Sequence, residues 1–170
     1  RAVGQVPIYY AYKSTGRPVN ERGVMQFNKF HKVQHIDETH TPLYHFGYGL
    51  TYTQFVYSDM VVETPELNMD GMLRVSVTVT NTGEREGTEV AQLYVQDLVG
   101  EVTRPVKELK AFERFTLDAG TSRRVTLEVP VQNLGFHGID MTYKVEPGKF
   151  KVWVGWNAEQ GLEGDFEVVK

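Results

Sequence analysis

From Met72 to Thr80 the chain reads M-L-R-V-S-V-T-V-T, so Leu73, Val75, Val77 and Val79 alternate with Arg74, Ser76, Thr78 and Thr80. A period of two predicts a strand with one face buried and one face wet. Asn81-Thr82-Gly83 supplies turn chemistry, and Gly87 extends the loop. Val90 to Asp97 then resumes a strand, with Ala91, Leu93 and Val95 on one face and Val90 and Tyr94 on the other. Apolar residues on both faces predict a central strand. The same alternation recurs at Val125, Leu127 and Val129, and again at Phe150, Val152 and Val154. In the second case Lys149, Lys151 and Trp153 take the opposite face.

Between these segments, further strands are expected over residues 51–63, headed by Tyr52, Phe55 and Tyr57, and over Phe166 to Val169. Lys107 to Phe115 is ambiguous between helix and strand. It reads as strand because its neighbours are strands and because Phe112 and Phe115 favour β structure. Val131 to Leu134 predicts one helical turn ended by Gly135, and Pro65 with Asn68-Met69-Asp70-Gly71 predicts a turn. Seven or so short strands at this spacing, with no sustained 3.6-residue period, imply an all-β antiparallel sandwich. About 100 residues suffice for such a domain, which leaves an extended N-terminal arm. Val6 to Tyr12 could form an edge strand, residues 19–41 lack periodicity, and Pro42 to Leu50 places Gly47 and Gly49 between aromatics. That aromatic segment is expected to pack as a joint rather than swing as a linker.

Charge divides the chain at the same place. Residues 1–50 carry six Lys/Arg and three Asp/Glu, whereas residues 51–170 carry twelve and nineteen. An acidic sandwich argues against a nucleic-acid partner, and the apolar runs are too short to span a bilayer. With no Cys, disulfides and thiolate metal sites are excluded. The opening Arg1-Ala2-Val3-Gly4 reads as a processed or excised piece.

Candidate chemistry is thin. His31, His35, His40 and His45, with Asp37 and Glu38, would need a helix to gather around a metal, and the arm shows no helical stripe. Asp37, Asp97 and Asp140 have no defined separation that would make a hydrolytic carboxylate pair. Nucleophile, phosphate-loop and dinucleotide motifs are absent, as is an N-x-[ST] sequon. No metal or cofactor is expected. Trp153 and Trp156 could stack on a sugar ring, or could serve the core or a domain interface.

Six motifs in order carry a family resemblance. They are Val3-Gly4-Gln5-Val6-Pro7-Ile8-Tyr9-Tyr10, Thr15-Gly16-Arg17-Pro18, Pro42 to Tyr52, Val79-Thr80-Asn81-Thr82-Gly83, Arg104 to Phe112 and Val145 to Phe150. Together they resemble the C-terminal region of glycoside hydrolase family 3 β-glucosidases of the bacterial periplasmic type. The resemblance implies an immunoglobulin-like, fibronectin type III-like sandwich over residues 52–170. It implies a connector arm over 19–51, and over 1–18 the tail of a preceding α/β sandwich domain. In this family the nucleophilic Asp and the acid/base Glu lie upstream, so the chain alone should be inactive. Its partners would be the upstream barrel and α/β sandwich domains, with a homodimer as a further option, in the periplasm or outside the cell. Tyr9, Tyr10, Tyr44, Phe46, Tyr48 and Tyr52 would form the domain interface. His45 stands where the family usually has Pro, and Ala119-Gly120 where it has Pro-Gly. Three functions remain open: an accessory module of a β-glucosidase, a carbohydrate-binding module, and a structural, adhesion-type sandwich.

Overall fold

The computed structural model describes residues 8–13 and 41–170. Among the described residues there are ten strands and no α-helix. Three strands form one sheet: β1 (Phe55–Val62), β3 (Met72–Asn81) and β6 (Ser122–Pro130), in the antiparallel order β1-β3-β6. Five form the facing sheet: β2 (Glu66–Leu67), β4 (Gly87–Asp97), β5 (Glu108–Leu117), β9 (Gly148–Gly155) and β10 (Leu162–Val168). Their order is β2-β10-β9-β4-β5, antiparallel except where β2 runs parallel to β10. A short hairpin, β7 (Phe136–His137) with β8 (Tyr143–Lys144), follows a single 3₁₀ turn at Val131–Leu134.

The alternating valines become the core. Leu73, Val75, Val77 and Val79 of β3 and Val125 and Val129 of β6 are fully buried. They share one cluster with Ala91, Leu93 and Val95 of β4 and Phe150, Val152 and Val154 of β9. Phe150 and Phe166, opposite each other in register, stack with ring centroids 5.1 Å apart. β4 lies between β9 and β5, the central position that its two-sided apolar pattern predicts.

Strands β3 and β4, successive in the chain, belong to opposite sheets rather than to one hairpin. The buried Asn81 holds this crossover. Its Oδ1 accepts from Thr53 Oγ1 (2.5 Å) and Gly83 N (3.1 Å). Its Nδ2 donates to the carbonyls of Arg85 (2.7 Å) and Leu117 (3.0 Å). Every polar atom of this side chain is paired, as burial demands, and the loop is tied to the end of β5.

Three expectations change. Tyr52 does not head β1: it precedes the strand and is 94% exposed. The strand expected over Phe166–Val169 starts earlier: β10 spans Leu162–Val168, and β2 pairs with its end. Pro65 supplies a carbonyl to Glu167 N there, while Leu67 O accepts from Val169 N. Residues 8–12, the described part of the expected edge strand from Val6 to Tyr12, form no strand; Lys13 beyond them makes an isolated bridge with Pro105. Leu93→Ala, which empties a fully buried position of β4, is expected to cost about 2–5 kcal/mol in urea unfolding.

Candidate functional site

Alternation along β4 aims Leu93 and Val95 at the core, so Gln92 and Tyr94 point out of the sandwich. Yet Tyr94 is 0% exposed and Gln92 6%. The cover comes from two remote segments, residues 8–13 and 41–50. Tyr10 stacks on Phe46 at 4.1 Å and meets Tyr94 edge-on at 6.1 Å. The Tyr10 hydroxyl accepts from Leu109 N (3.2 Å), and Val106 N donates to Tyr12 O (2.9 Å). Burial, followed by the neighbouring Tyr10, pushes the Tyr94 hydroxyl well above the usual tyrosine range.

Gln92 fastens this layer. Its Oε1 accepts from Tyr94 Oη at 2.5 Å, and its Nε2 donates to the carbonyls of Gly47 (3.2 Å) and Trp156 (2.9 Å). Ala158 N adds a bond to Phe46 O at 2.8 Å. Gly47 has φ +81°, and a Cβ there would lie 2.0 Å from Gln92 Oε1. Glycine is thus required both by conformation and by the close approach. Gly49, by contrast, has nothing near its missing Cβ and no positive φ.

The outward side of this layer exposes large apolar side chains. Tyr9, Tyr12, Tyr44, Phe46 and Tyr48 are exposed, and Leu50 reaches 89%. Tyr44 and Tyr48 pack on each other at 5.0 Å. A concavity of about 610 Å³ opens between Tyr9, Tyr12, Pro42, Tyr44 and Val106.

The two tryptophans engage different partners. Lys107 Nζ lies 4.2 Å from the ring centroid of Trp153 and donates to Ala158 O, while Trp153 Nε1 donates to Glu163 at 2.8 Å. Trp156, 38% exposed, donates to Gln160 Oε1 at 3.0 Å and leans on Tyr57 at 5.4 Å. It lines a second groove, of about 420 Å³, with Leu50, Phe55, Val56 and Glu89. Tyr57 Oη donates to Glu89 Oε1 at 3.1 Å. Burial pushes the Glu89 carboxyl up, only partly offset by the bonds from Tyr57 and Val90 N–H. Burial also raises the Tyr57 hydroxyl, reinforced by Glu89.

His31, His35, His40, Asp37 and Glu38 lie outside the described residues. His45 Nδ1 sits 3.8 Å from Glu159. Asp97 is buried, accepts from Val99 N (3.2 Å) and faces Arg104 Nε at 3.7 Å. Asp140 caps the turn at Thr142. Among the described residues no group of three His, Asp or Glu side chains is placed to hold a metal. Gln92, Tyr94, Tyr57 and Glu89 were not singled out from sequence as site residues. The one signal available was that the face of β4 opposite its core residues also carries a large aromatic.

A family model for the fibronectin type III-like domain matches residues 89–158. The chain carries a fibronectin type III-like domain. It is 43% identical to the periplasmic β-glucosidase of Salmonella typhimurium over 99% of its own length and 22% of the relative's. A putative β-xylosidase of Formosa agariphila is 34% identical over the whole chain and 21% of that protein. Among solved structures, the β-glucosidase from Listeria innocua in complex with glucose superposes with a TM-score of 0.87 at 35% identity. That match covers 98% of this chain and 23% of the other. The chain thus spans about a fifth of the length of the curated relatives it matches.

Within this fibronectin type III-like domain, Gln92→Ala strips partners from Tyr94 Oη and from the Gly47 and Trp156 carbonyls. A loss of about 1–3 kcal/mol is expected in urea unfolding. For Glu89 the raised folded pKa fixes a sign. The stability it contributes is present below the unfolded value and lost as pH rises through the folded one. Glu89→Gln should therefore raise the melting temperature of the chain at pH 7. That gain should shrink as pH falls toward the ordinary glutamate range, as followed by thermal denaturation across pH.

Proposed function

We propose that this chain is the non-catalytic C-terminal accessory module of a glycoside hydrolase family 3 β-glucosidase. In this reading the parent hydrolyses terminal β-D-glucosides, and the module stabilises it by docking on the upstream barrel and α/β sandwich domains. The observation that carries the reading is the arm layer. It is fastened to β4 on its inner side through Gln92, and its outer side presents Tyr9, Tyr44, Phe46, Tyr48, Leu50 and Tyr52 to solvent. Contiguous exposed aromatics of this kind mark an interaction surface, and burial is worth roughly 25 cal/mol per Å² of apolar area. The segments 1–18, 19–51 and 52–170 then act as domain tail, connector and sandwich.

The relatives' names and their greater length support this assignment. The same face can shape a dimer contact or the rim of the parent's active site. The Salmonella relative's name supports a periplasmic or secreted location. Among the described residues, no helix is long and apolar enough to cross a membrane. A sugar platform built on Trp153 and Trp156 has less support, because Lys107 covers a face of the Trp153 ring.

The experiment is deletion. A parent enzyme truncated before this chain is expected to melt at lower temperature and to lose activity on an aryl β-glucoside, while the isolated chain hydrolyses nothing. Unchanged melting and activity of the truncated parent would overturn the reading.

A further inference from the structure

Two acids in the domain have carboxyl groups that burial pushes upward, and they differ in what faces them. Asp97 has Arg104 at 3.7 Å. The carboxylate of Glu89 has as partners, among the described residues, only the Tyr57 hydroxyl and the Val90 N–H. A partly desolvated carboxylate without a counter-charge is unfavourable, and a fold that keeps one has a use for it or a partner outside it.

The surroundings specify the partner's chemistry. Glu89 and Trp156 line one groove, and both touch Tyr57, whose hydroxyl meets the acid while its ring meets the indole. Leu50 and Val56 form an exposed apolar rim. The donors that a polyol would need are mostly engaged elsewhere. Gln92 Nε2 serves two backbone carbonyls, and Trp156 Nε1 serves Gln160. Gln54 is the side-chain amide left. An acceptor, an aromatic ring and an apolar rim suit a cation carried on an aliphatic stem.

We infer that the groove between β1 and β4 receives a cationic side chain, an arginine in preference to a lysine, from the neighbouring domain of the parent enzyme. Its guanidinium would bond Glu89 and lie against Trp156. Arginine is preferred because its planar fork pairs with a carboxylate and stacks on an aromatic ring at once. Charge complementarity favours this occupant, since residues 51–170 carry nineteen Asp/Glu against twelve Lys/Arg. This chain spans only 22% of the Salmonella relative, which leaves ample protein to supply it. The inference rests on the module reading and deepens it.

The test exploits a reversal of sign. In the isolated chain, Glu89→Gln removes a charge that has no counter-charge among the described residues, and the melting temperature should rise at pH 7. In the full-length parent the same substitution removes one half of an ion pair, and the melting temperature should fall. A rise in both proteins would overturn the inference. So would a saturable change in Trp fluorescence on titrating the isolated chain with cellobiose, lost in Trp156→Ala, because the groove would then be a sugar site. Deletion of the whole module separates the two levels. If deletion destabilises the parent but Glu89→Gln shows no reversal, the cation pocket fails while the module reading stands. If deletion is harmless, the module reading fails first.

Discussion

Tyr94 and Gln92 must be kept dry on the face of β4 that points away from the core, and the rest of the molecule is arranged around that demand. A sandwich strand usually has one dry face. β4 has two, because Leu93 and Val95 fill the interior while Tyr94 is fully buried on the outside. A tyrosine in that position needs an acceptor, and an amide in that position needs both of its ends matched. Gln92 answers both requirements, accepting from the Tyr94 hydroxyl and donating to Gly47 O and Trp156 O. The aromatic segment around Gly47 is thus part of the domain's structure, and Gly47 is fixed as glycine by the distance of the amide from its backbone.

This arrangement makes the domain two-sided. The outer face of the three-stranded sheet is polar: Arg74 pairs with Glu128 at 2.7 Å, and Arg124 bonds Thr78 and Ser76. Exposed pairs of this kind contribute little to stability, but they keep that surface in water. The opposite side carries an aromatic layer whose inner half is satisfied and whose outer half is not. One side of the domain is therefore polar, and the other carries exposed aromatics such as Tyr44 and Tyr48.

The valine alternation was legible because buried strands must repeat every two residues. Leu73 to Val79, Ala91 to Val95 and Phe150 to Val154 all occupy the faces their spacing implies, and the single turn at Val131–Leu134 was visible from its boundaries. Sheet membership was not legible. A turn sequence at Asn81 is equally compatible with a hairpin and a crossover, and the difference lies in Asn81 reaching Leu117 O, 36 residues away. β2 was invisible because two residues carry no period, and it exists only as backbone pairing to β10. Val6 to Tyr12 looked like a strand because aromatics favour sheets, but Tyr10 and Ala11 are held by packing against the outer layer rather than by a ladder. Glu89 was one acid among many in an acidic region. Only its enclosure beside Tyr57 separates it from solvated neighbours such as Glu84.

The arm segment also couples the two concavities. Pro42, Tyr44 and Phe46 line the aromatic one, Gly47, Gly49, Leu50 and Thr51 line the Glu89 groove, and the bonds at Phe46 O and Gly47 O hold the backbone between them. A partner surface that seats on Tyr44 and Tyr48 is thereby brought into register with Leu50 and the mouth of the groove. The broad apolar contact would supply most of the energy, since that scales with area. A half-buried carboxylate would supply direction, since an unpaired or like charge opposite it is penalised more than a misplaced methyl. On the proposed reading the surface that would adhere, on residues 44–50, and the charge that would select, Glu89 on β4, are joined through Gln92, which lies three residues from Glu89 and bonds Gly47 O.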